Sequence, residues 1–303
     1  MGGQTRMGAY EQAVRALPLH LRRGALALSP GEMERAEELR LRVGRPLSVV
    51  LPEGERSCGG PPVEVRDLEQ LVEMASRASL HAVLDQVRRG YLTMEGGHRI
   101  GLCGTAVLRE GEIHSLSALS SANVRITRAV PEAAEGVMGA ICPGGRLEST
   151  LILAPPGLGK TTLLRDVIRR VSGGVGVRPL RVALADERGE VAALYRGTPQ
   201  LDVGERTDVL EGCPKAQGLM LLLRAMNPQV LAADEITAPE DVAALRMAVG
   251  CGVTLLATAH GEDRADLLCR PLYRPLVEEG CFRRLVRIVR EGTGRNYIVE
   301  ELD

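Results

Sequence analysis

One stretch of eight residues limits the fold of this chain more than any other. It follows the apolar run TLIL at 150–153 and precedes a helical pattern over 160–171. A strand, a glycine-bearing loop, Lys-Thr and a helix, in that order, are typical of a phosphate-binding P-loop. There, backbone N–H groups and a helix N-terminus meet a polyphosphate. The predicted nucleotide-binding residues are Ala154, Pro155, Pro156, Gly157, Leu158, Gly159, Lys160, Thr161 and Thr162.

Single positions of this loop have separate predicted roles. Lys160 is expected to reach the β- and γ-phosphates, and the hydroxyl of Thr161 to hold Mg²⁺. Ala154 stands where the motif has its first glycine, and alanine suits this position if its φ is negative. Gly157 and Gly159 stand where the chain wraps the phosphate. No N-K-x-D signature for guanine is present, which favours ATP.

A second feature is an apolar stretch, VLAA at 230–233, that ends in two acids. A carboxylate at the end of a strand parallel to the P-loop strand lies where Mg²⁺ needs one, so Asp234 is the predicted metal residue. Glu235 beside it is placed to polarise an attacking water. The pair favours water as the acceptor, and the sequence therefore predicts hydrolysis.

Polar residues at the ends of two further predicted strands indicate the same site as the P-loop and the acidic pair. Asp186 and Glu187 follow a predicted strand at 180–185, and His260 follows one at 253–258. Ligands of open parallel sheets lie at the carboxyl ends of the strands, so these side chains are expected to converge on one crevice. Asp186 or Glu187 is expected to orient water or metal. His260 is expected to sense the γ-phosphate or to relay its loss.

The second half of the chain alternates strands with helices, the pattern of an α/β fold with a parallel sheet flanked by helices. Predicted helices there span 160–171, 214–226 and 239–250; strands span 150–153, 180–185, 229–233 and 253–258; and a hairpin of 285–289 with 296–300 turns around 292–294.

The first half reads as a small α+β domain. We expect domains at 1–130 and 131–303. Within the first, helical spacing covers 65–88 with a break near Ser79, 54–62 is a loop, and strands are predicted at 38–43, 47–51, 90–93, 96–108, 112–116 and 122–128.

Composition excludes some classes of protein. The net charge is −1 and aromatic residues make up 2%, so neither a basic nor an aromatic nucleic-acid surface is indicated. Seven cysteines are scattered without a C-x-x-C spacing, which indicates neither a zinc site nor a disulfide frame. No signal segment or membrane-length apolar run is found. We expect a cytoplasmic chain without direct membrane insertion, which reaches membranes only peripherally through partners.

Five motifs resemble the stage III sporulation protein AA family: ELRLRVGRP at 38–46, GGHRIGLCG at 96–104, NVRITR at 123–128, DERGE at 186–190 and ATAHG at 257–261. In its ATPase half this family is similar to the secretion ATPases of type II and type IV systems.

The resemblance implies a RecA/AAA+-like ATPase that binds ATP and Mg²⁺ and works as a ring-shaped homo-oligomer, a hexamer. It further implies a mother-cell role, energising a membrane-embedded channel between mother cell and forespore. Asp186-Glu187 and His260 match the Asp-box and His-box of the secretion ATPases. The departures are Ala154 and a shorter C-terminal half without a metal-binding cysteine motif.

In a ring, the first domain could supply an arginine to the neighbouring subunit. Such an arginine stabilises the transition state of phosphoryl transfer. Arg125 and Arg128, read as lying on one face of the last strand, are the predicted catalytic arginines, and His98 and Arg99 are weaker candidates.

Two other readings stay open beside the ring motor. One is a nucleotide-gated assembly module with little turnover. The other is a nucleic-acid-stimulated ATPase, motivated by Arg283, Arg284, Arg287, Arg290 and Arg295.

Overall fold

The computed structural model describes residues 8–76, 90–130, 132–292 and 294–302. These residues form two compact units. The first takes in the described residues up to Arg128 together with Ala193–Gln200. The second takes in Ala129–Ala192 and the described residues from Leu201 onward. The return of 193–200 to the first unit was not anticipated from the sequence, and the division into domains at residue 130 stays a prediction.

The first unit is built on a six-stranded antiparallel sheet with the strand order β3-β2-β1-β6-β5-β4. In β1, Leu39 and Leu41 are fully buried, as alternation along a half-buried strand requires. The elements are α1 (Ala9–Val14), α2 (Leu19–Ala25), α3 (Pro30–Arg35), β1 (Glu38–Arg42), β2 (Pro46–Leu51), β3 (Gly54–Pro62), α4 (Val65–Ser76), β4 (Tyr91–Thr93), β5 (Arg99–Arg109) and β6 (Glu112–Arg125).

The strand β3 contradicts the loop expected over 54–62. It is an edge strand, nearly all of it exposed, where glycine and proline are tolerated because one side of its backbone needs no partner. The strand expected at 112–116 and the first part of the one expected at 122–128 belong to the single strand β6, which ends at Arg125. The expected continuation of α4 to residue 88 and its break near Ser79 lie outside the described residues.

The second unit contains a seven-stranded sheet with the order β11-β8-β12-β13-β7-β14-β15, parallel except for β15. Its inner strands are apolar runs because a parallel sheet is covered on both faces. From residue 135 onward the chain forms α5 (Glu135–Ile141), β7 (Thr150–Leu153), α6 (Lys160–Gly173), β8 (Val182–Asp186), β9 (Leu194–Tyr195) and β10 (Thr198–Pro199) in the returning segment, β11 (Thr207–Glu211), α7 (Lys215–Ala225), β12 (Val230–Ala233), α8 (Pro239–Gly250), β13 (Thr254–Ala259), α9 (Arg264–Cys269), α10 (Arg274–Glu278), β14 (Arg284–Glu291) and β15 (Gly294–Glu301).

The order of this sheet confirms the predicted α/β class and places the carboxyl ends of β8, β12, β13 and β7 side by side. In the second unit, the predictions from sequence missed β11, α9 and α10. The half-buried edge strand β11 shows neither a long apolar run nor a clear alternation. Thr293, in the predicted turn between β14 and β15, lies outside the described residues. Among the described helices, none has the length and apolar character needed to span a bilayer.

Candidate functional site

The predicted P-loop connects β7 to α6. Gly157 has φ +77° and Gly159 has φ +91°, so both occupy the left-handed region. Ala154 is buried, its φ is not positive, and its N–H donates to the carbonyl of Ala259 at 3.4 Å. The first position of the motif therefore continues the strand, and alanine fits it without strain.

Lys160 lies folded over this loop. Its ammonium donates to the carbonyls of Ala154 at 2.9 Å and Pro155 at 3.3 Å, and lies 2.9 Å from Nδ1 of His260. All three of its donors thus have partners inside the protein. Burial lowers the pKa of Lys160, an effect that the nearby Glu235 and Asp234 oppose. The loop thereby holds a buried cation where phosphate oxygens could replace the two carbonyls.

Asp234 follows β12 and is held by two hydroxyls. Thr161 donates to Oδ2 at 2.7 Å, and Thr258, near the end of β13, donates to Oδ1 at 2.6 Å. Burial raises the pKa of Asp234, although both hydroxyl bonds act to lower it. A hydroxyl and a carboxylate oxygen this close are hard oxygen ligands of the type Mg²⁺ prefers. The residues present therefore fit this ion.

Glu235 has an unusual backbone for a non-glycine residue, with φ +57°. Its N–H donates to Oγ1 of Thr258 at 2.7 Å, and its carbonyl accepts from Nζ of Lys215 at 2.6 Å. Its side-chain Oε2 accepts from Arg188 at 2.8 Å, and Oε1 is hydrogen-bonded to Nε2 of His260. Burial acts to raise the pKa of Glu235, but the bond from His260 and the charge of Arg188 hold it below its ordinary value.

His260 joins the P-loop lysine to this glutamate. An ammonium can only donate, so Nδ1 accepts from Lys160 and the ring proton lies on Nε2, which donates to Glu235. The strand ends thus bring together Lys160, Thr161, Asp234, Glu235 and His260 in one connected network, as the order of the sheet requires.

Asp186 is placed differently from the expectation that it orients water or metal. Its buried carboxylate accepts from the backbone N–H groups of Glu190 at 3.0 Å, Val191 at 3.0 Å and Ala192 at 2.8 Å. Arg165 on α6 donates to the carbonyls of Glu190 and Val191. Asp186 thus shapes the loop after β8, because a carboxylate can satisfy several backbone donors at once.

Glu187 remains half-exposed, with Oε2 lying 3.4 Å from Nζ of Lys215. It borders a small pocket that is also lined by Arg188, Lys215, Asp234, Glu235 and Thr237.

Four residues near this network were missed from the sequence. Arg188 and Thr258 lie within the motifs at 186–190 and 257–261, beside predicted positions, but no role was predicted for them. Arg295 approaches the P-loop so closely that a Cβ added to Gly159 would lie 2.5 Å from its Nη1. Lys215 did leave a signal, because Lys160 and Lys215 are the only two lysines of the chain, and both are buried here.

Arg125 and Arg128 belong to the first unit, and the P-loop belongs to the second. The expectation that both occupy one strand face is wrong. β6 ends at Arg125, and residues three apart in an extended chain point to opposite sides. Arg125 is largely exposed and pairs with Glu38 at 3.4 Å, while Arg128 donates to the carbonyl of Met33 at 2.9 Å.

The two weaker candidates have other surroundings. The guanidinium of Arg99 lies 3.7 Å from the ring centroid of Tyr91. His98 is fully buried, which removes it as a residue that reaches a neighbouring subunit.

The parallel sheet, its P-loop and the acidic end of β12 define the RecA-like fold of the secretion ATPases. The structure of the ATPase DotB from Legionella pneumophila matches 99% of this chain and 82% of that one, with a TM-score of 0.58 and 15% identity. The pilus retraction motor PilT with bound ADP matches 90% of this chain and 81% of that one, with a TM-score of 0.60 and 14% identity.

The sequence profile described as "Sporulation stage III, protein AA" matches residues 7–298. Stage III sporulation protein AA of Bacillus subtilis (strain 168) is 37% identical over 261 residues, which cover 84% of this chain and 82% of that protein. The chain therefore belongs to the sporulation stage III protein AA family.

Proposed function

We propose that the chain is a Mg²⁺-dependent ATP hydrolase. The observation that carries this proposal is the connected network from Lys160 through His260 to Glu235, beside the Thr161–Asp234 pair. A P-loop lysine, a hydroxyl–carboxylate pair for the metal and a second acid for water are the parts that hydrolysis of a nucleoside triphosphate needs.

Binding begins at the P-loop. Lys160 exchanges the carbonyls of Ala154 and Pro155 for phosphate oxygens, and left-handed Gly157 and Gly159 let the backbone N–H groups follow the phosphates. Thr161 and Asp234 are the residues that would hold Mg²⁺, which would neutralise negative charge on the phosphates. The third donor of Lys160 stays on Nδ1 of His260.

Glu235 is the proposed base that polarises the attacking water. Its depressed pKa keeps it ionised at neutral pH, and Arg188 and His260 fix its two oxygens. Because Nδ1 of His260 accepts from Lys160, loss of the γ-phosphate changes the surroundings of the lysine that holds the imidazole. His260 thus relays the state of the nucleotide to Glu235.

The biological role proposed is that of a ring motor, a hexamer, which energises a sporulation channel or secretion-type complex. Support comes from membership of the sporulation family and from the likeness in fold to an ATPase and a pilus retraction motor. The chain would work in the cytoplasm of the mother cell, peripheral to the membrane through channel partners. Arg125 or Arg128 would complete the neighbouring subunit's site.

The test is the substitution Glu235→Gln, which keeps the shape of the side chain but removes the base. We expect phosphate release to fall about a hundredfold or more while ATP binding is retained. Glu279→Gln is the matched control, because Glu279 is an exposed acid of the same unit whose carboxylate pairs with Arg246. Equal phosphate release by Glu235→Gln and the parent, in assays that include Mg²⁺, would contradict the proposal.

A nucleotide-gated module with little turnover is the second candidate. One observation favours it. Lys160 and Glu235 already have hydrogen-bond partners within the protein, and a site satisfied in this way is expected to hydrolyse ATP slowly. ATP-dependent assembly by a parent protein that releases no more phosphate than Glu235→Gln would select it.

Ion pairs count against the third candidate, a nucleic-acid-stimulated ATPase, because they occupy arginines that would have to contact phosphates. Arg284 pairs with Glu148 and Glu301, and Arg287 pairs with Glu300. Steep, salt-sensitive stimulation of phosphate release by DNA or RNA would support this candidate.

A further inference from the structure

Lys215 is a buried cation with no part in the steps above. It is the first residue of α7, and its side chain is 4% exposed. A buried ammonium is costly unless acceptors surround it. The acceptors here are the carbonyl of Glu235 at 2.6 Å, the carboxylate of Glu187 at 3.4 Å and that of Asp241 at 3.5 Å.

The short bond is the one to Glu235. Oδ2 of Asp241 already accepts from the N–H groups of Thr237 and Ala238 at 3.1 Å each, so that carboxylate is committed to the start of α8. Glu187 is half-exposed and shares its charge with solvent. Of the three acceptors, the Glu235 carbonyl therefore depends most directly on the lysine.

That carbonyl belongs to a strained residue. A φ of +57° at a residue other than glycine is disfavoured and persists only where surrounding groups impose it. Both backbone groups of Glu235 are held by side chains, the N–H by Thr258 and the carbonyl by Lys215. This conformation is the one in which the carboxylate reaches Arg188 and His260.

We propose that Lys215 is a positioning residue for hydrolysis, which locks the backbone of Glu235 so that its carboxylate lies where the attacking water is polarised. This inference rests on the proposed function. Without the ammonium, the peptide after Glu235 is free to rotate out of the left-handed region, and the carboxylate withdraws from its two partners. Nucleotide binding at the P-loop does not use this bond.

The experiment substitutes Lys215→Met, which keeps the length of the side chain and removes its donors. Arg224→Met is the matched control, an exposed cation on the same helix. We expect single-turnover hydrolysis by Lys215→Met to fall about ten- to a hundredfold, with ATP affinity within about twofold of the parent. Amide hydrogen exchange over residues 235–238 should become at least about tenfold faster, with α6 unchanged.

A double-mutant cycle separates positioning from general stability. If Lys215 acts through Glu235, Lys215→Met causes no further loss of turnover in the Glu235→Gln background. Unchanged turnover in Lys215→Met, or losses that add fully in the cycle, would overturn the inference. If the parent protein does not hydrolyse ATP, the proposed function is refuted instead. Amide hydrogen exchange would then test whether Lys215 positions Glu235. Unchanged exchange rates over residues 235–238 in Lys215→Met would refute that positioning.

Discussion

At the scale of single residues, the candidate site depends on left-handed backbone in two different ways. Gly157 and Gly159 occupy positive φ at no steric cost, because they have no Cβ. Glu235 occupies it against its own preference and is held there by Thr258 and Lys215. The phosphate loop is therefore relaxed, whereas the residue proposed to handle water is strained and depends on its neighbours.

Gly159→Ala tests whether the phosphate loop needs its left-handed backbone. Its φ of +91° disfavours any Cβ, and Arg295 occupies the space that this atom would enter. We expect the free energy of unfolding to fall by about 1–2 kcal/mol and ATP affinity to fall as well. Chemical denaturation and nucleotide titration measure the two effects.

The matched control is Gly139→Ala in α5. This glycine has no positive φ, and among the described residues no atom outside its own helix turn and chain neighbours lies within 4 Å of an added Cβ. Alanine there should raise the free energy of unfolding by about 0.5–1 kcal/mol. If Gly159→Ala behaved like this control, the loop would not need the left-handed conformation.

At the scale of elements, side chains that bond to backbone fix the segments between strands. Asp186 and Arg165 hold the loop after β8, which carries Glu187 and Arg188 into the site. In the first unit, His98 lies in the turn between β4 and β5. Its Nδ1 accepts from the N–H of Thr127 at 3.1 Å, just after β6. Each loop thus has a buried polar side chain, Asp186 or His98, that bonds to its backbone or to that of a neighbouring segment.

His98 gives the first unit a dependence on pH. Burial, aided by the charge of Arg128, lowers its pKa from 6.5 to about 4. Above pH 6.5 the imidazole is neutral in both the folded and the unfolded chain. As pH falls from 6.5 to 4, only the unfolded chain gains the proton, so the free energy of unfolding falls, by about 3 kcal/mol at most.

His98→Asn tests this dependence, because the amide oxygen can accept from Thr127 as Nδ1 does but the side chain does not titrate. Urea unfolding of the first unit between pH 4 and 7 should show a flatter pH profile than the parent. The same slope in both proteins would assign the effect to other groups.

At the scale of the whole molecule, the proposed ring requires that an arginine of the first unit reach the nucleotide site of a neighbouring subunit. Arg125 is the cleaner probe of the proposed ring. It is largely exposed, and an exposed ion pair with Glu38 contributes little to stability. Arg128 is half-buried and donates to Met33, so its removal would mix a loss of folding with any loss of catalysis.

Arg125→Ala should therefore keep its stability and ATP binding but lose about a thousandfold in turnover, because a missing arginine leaves transition-state charge uncompensated. Mixing it with Glu235→Gln should restore part of the activity. In mixed rings, some sites combine an intact Glu235 with an intact Arg125 from a neighbour. Full activity of Arg125→Ala alone would remove this residue from catalysis.

The parallel sheet, the P-loop and the acidic end of β12 could be predicted from the sequence. Each of these is written in contiguous residues, as a buried apolar run followed by a loop with glycines or by acids. Their convergence also followed from the sequence, because parallel strands with helical crossovers end at the same edge.

The hydrogen bonds among those strand ends could be read only from the folded chain. Lys215 lies 20 residues before the carbonyl it binds, and Lys160 lies 100 residues before His260. The tertiary structure also decided that Asp186 bonds to backbone, that residues 54–62 form an edge strand and that Arg125 and Arg128 have different partners. The reason is physical. Spacing along the chain reports which face a residue occupies, whereas hydrogen-bond partners are chosen among groups that only folding brings together.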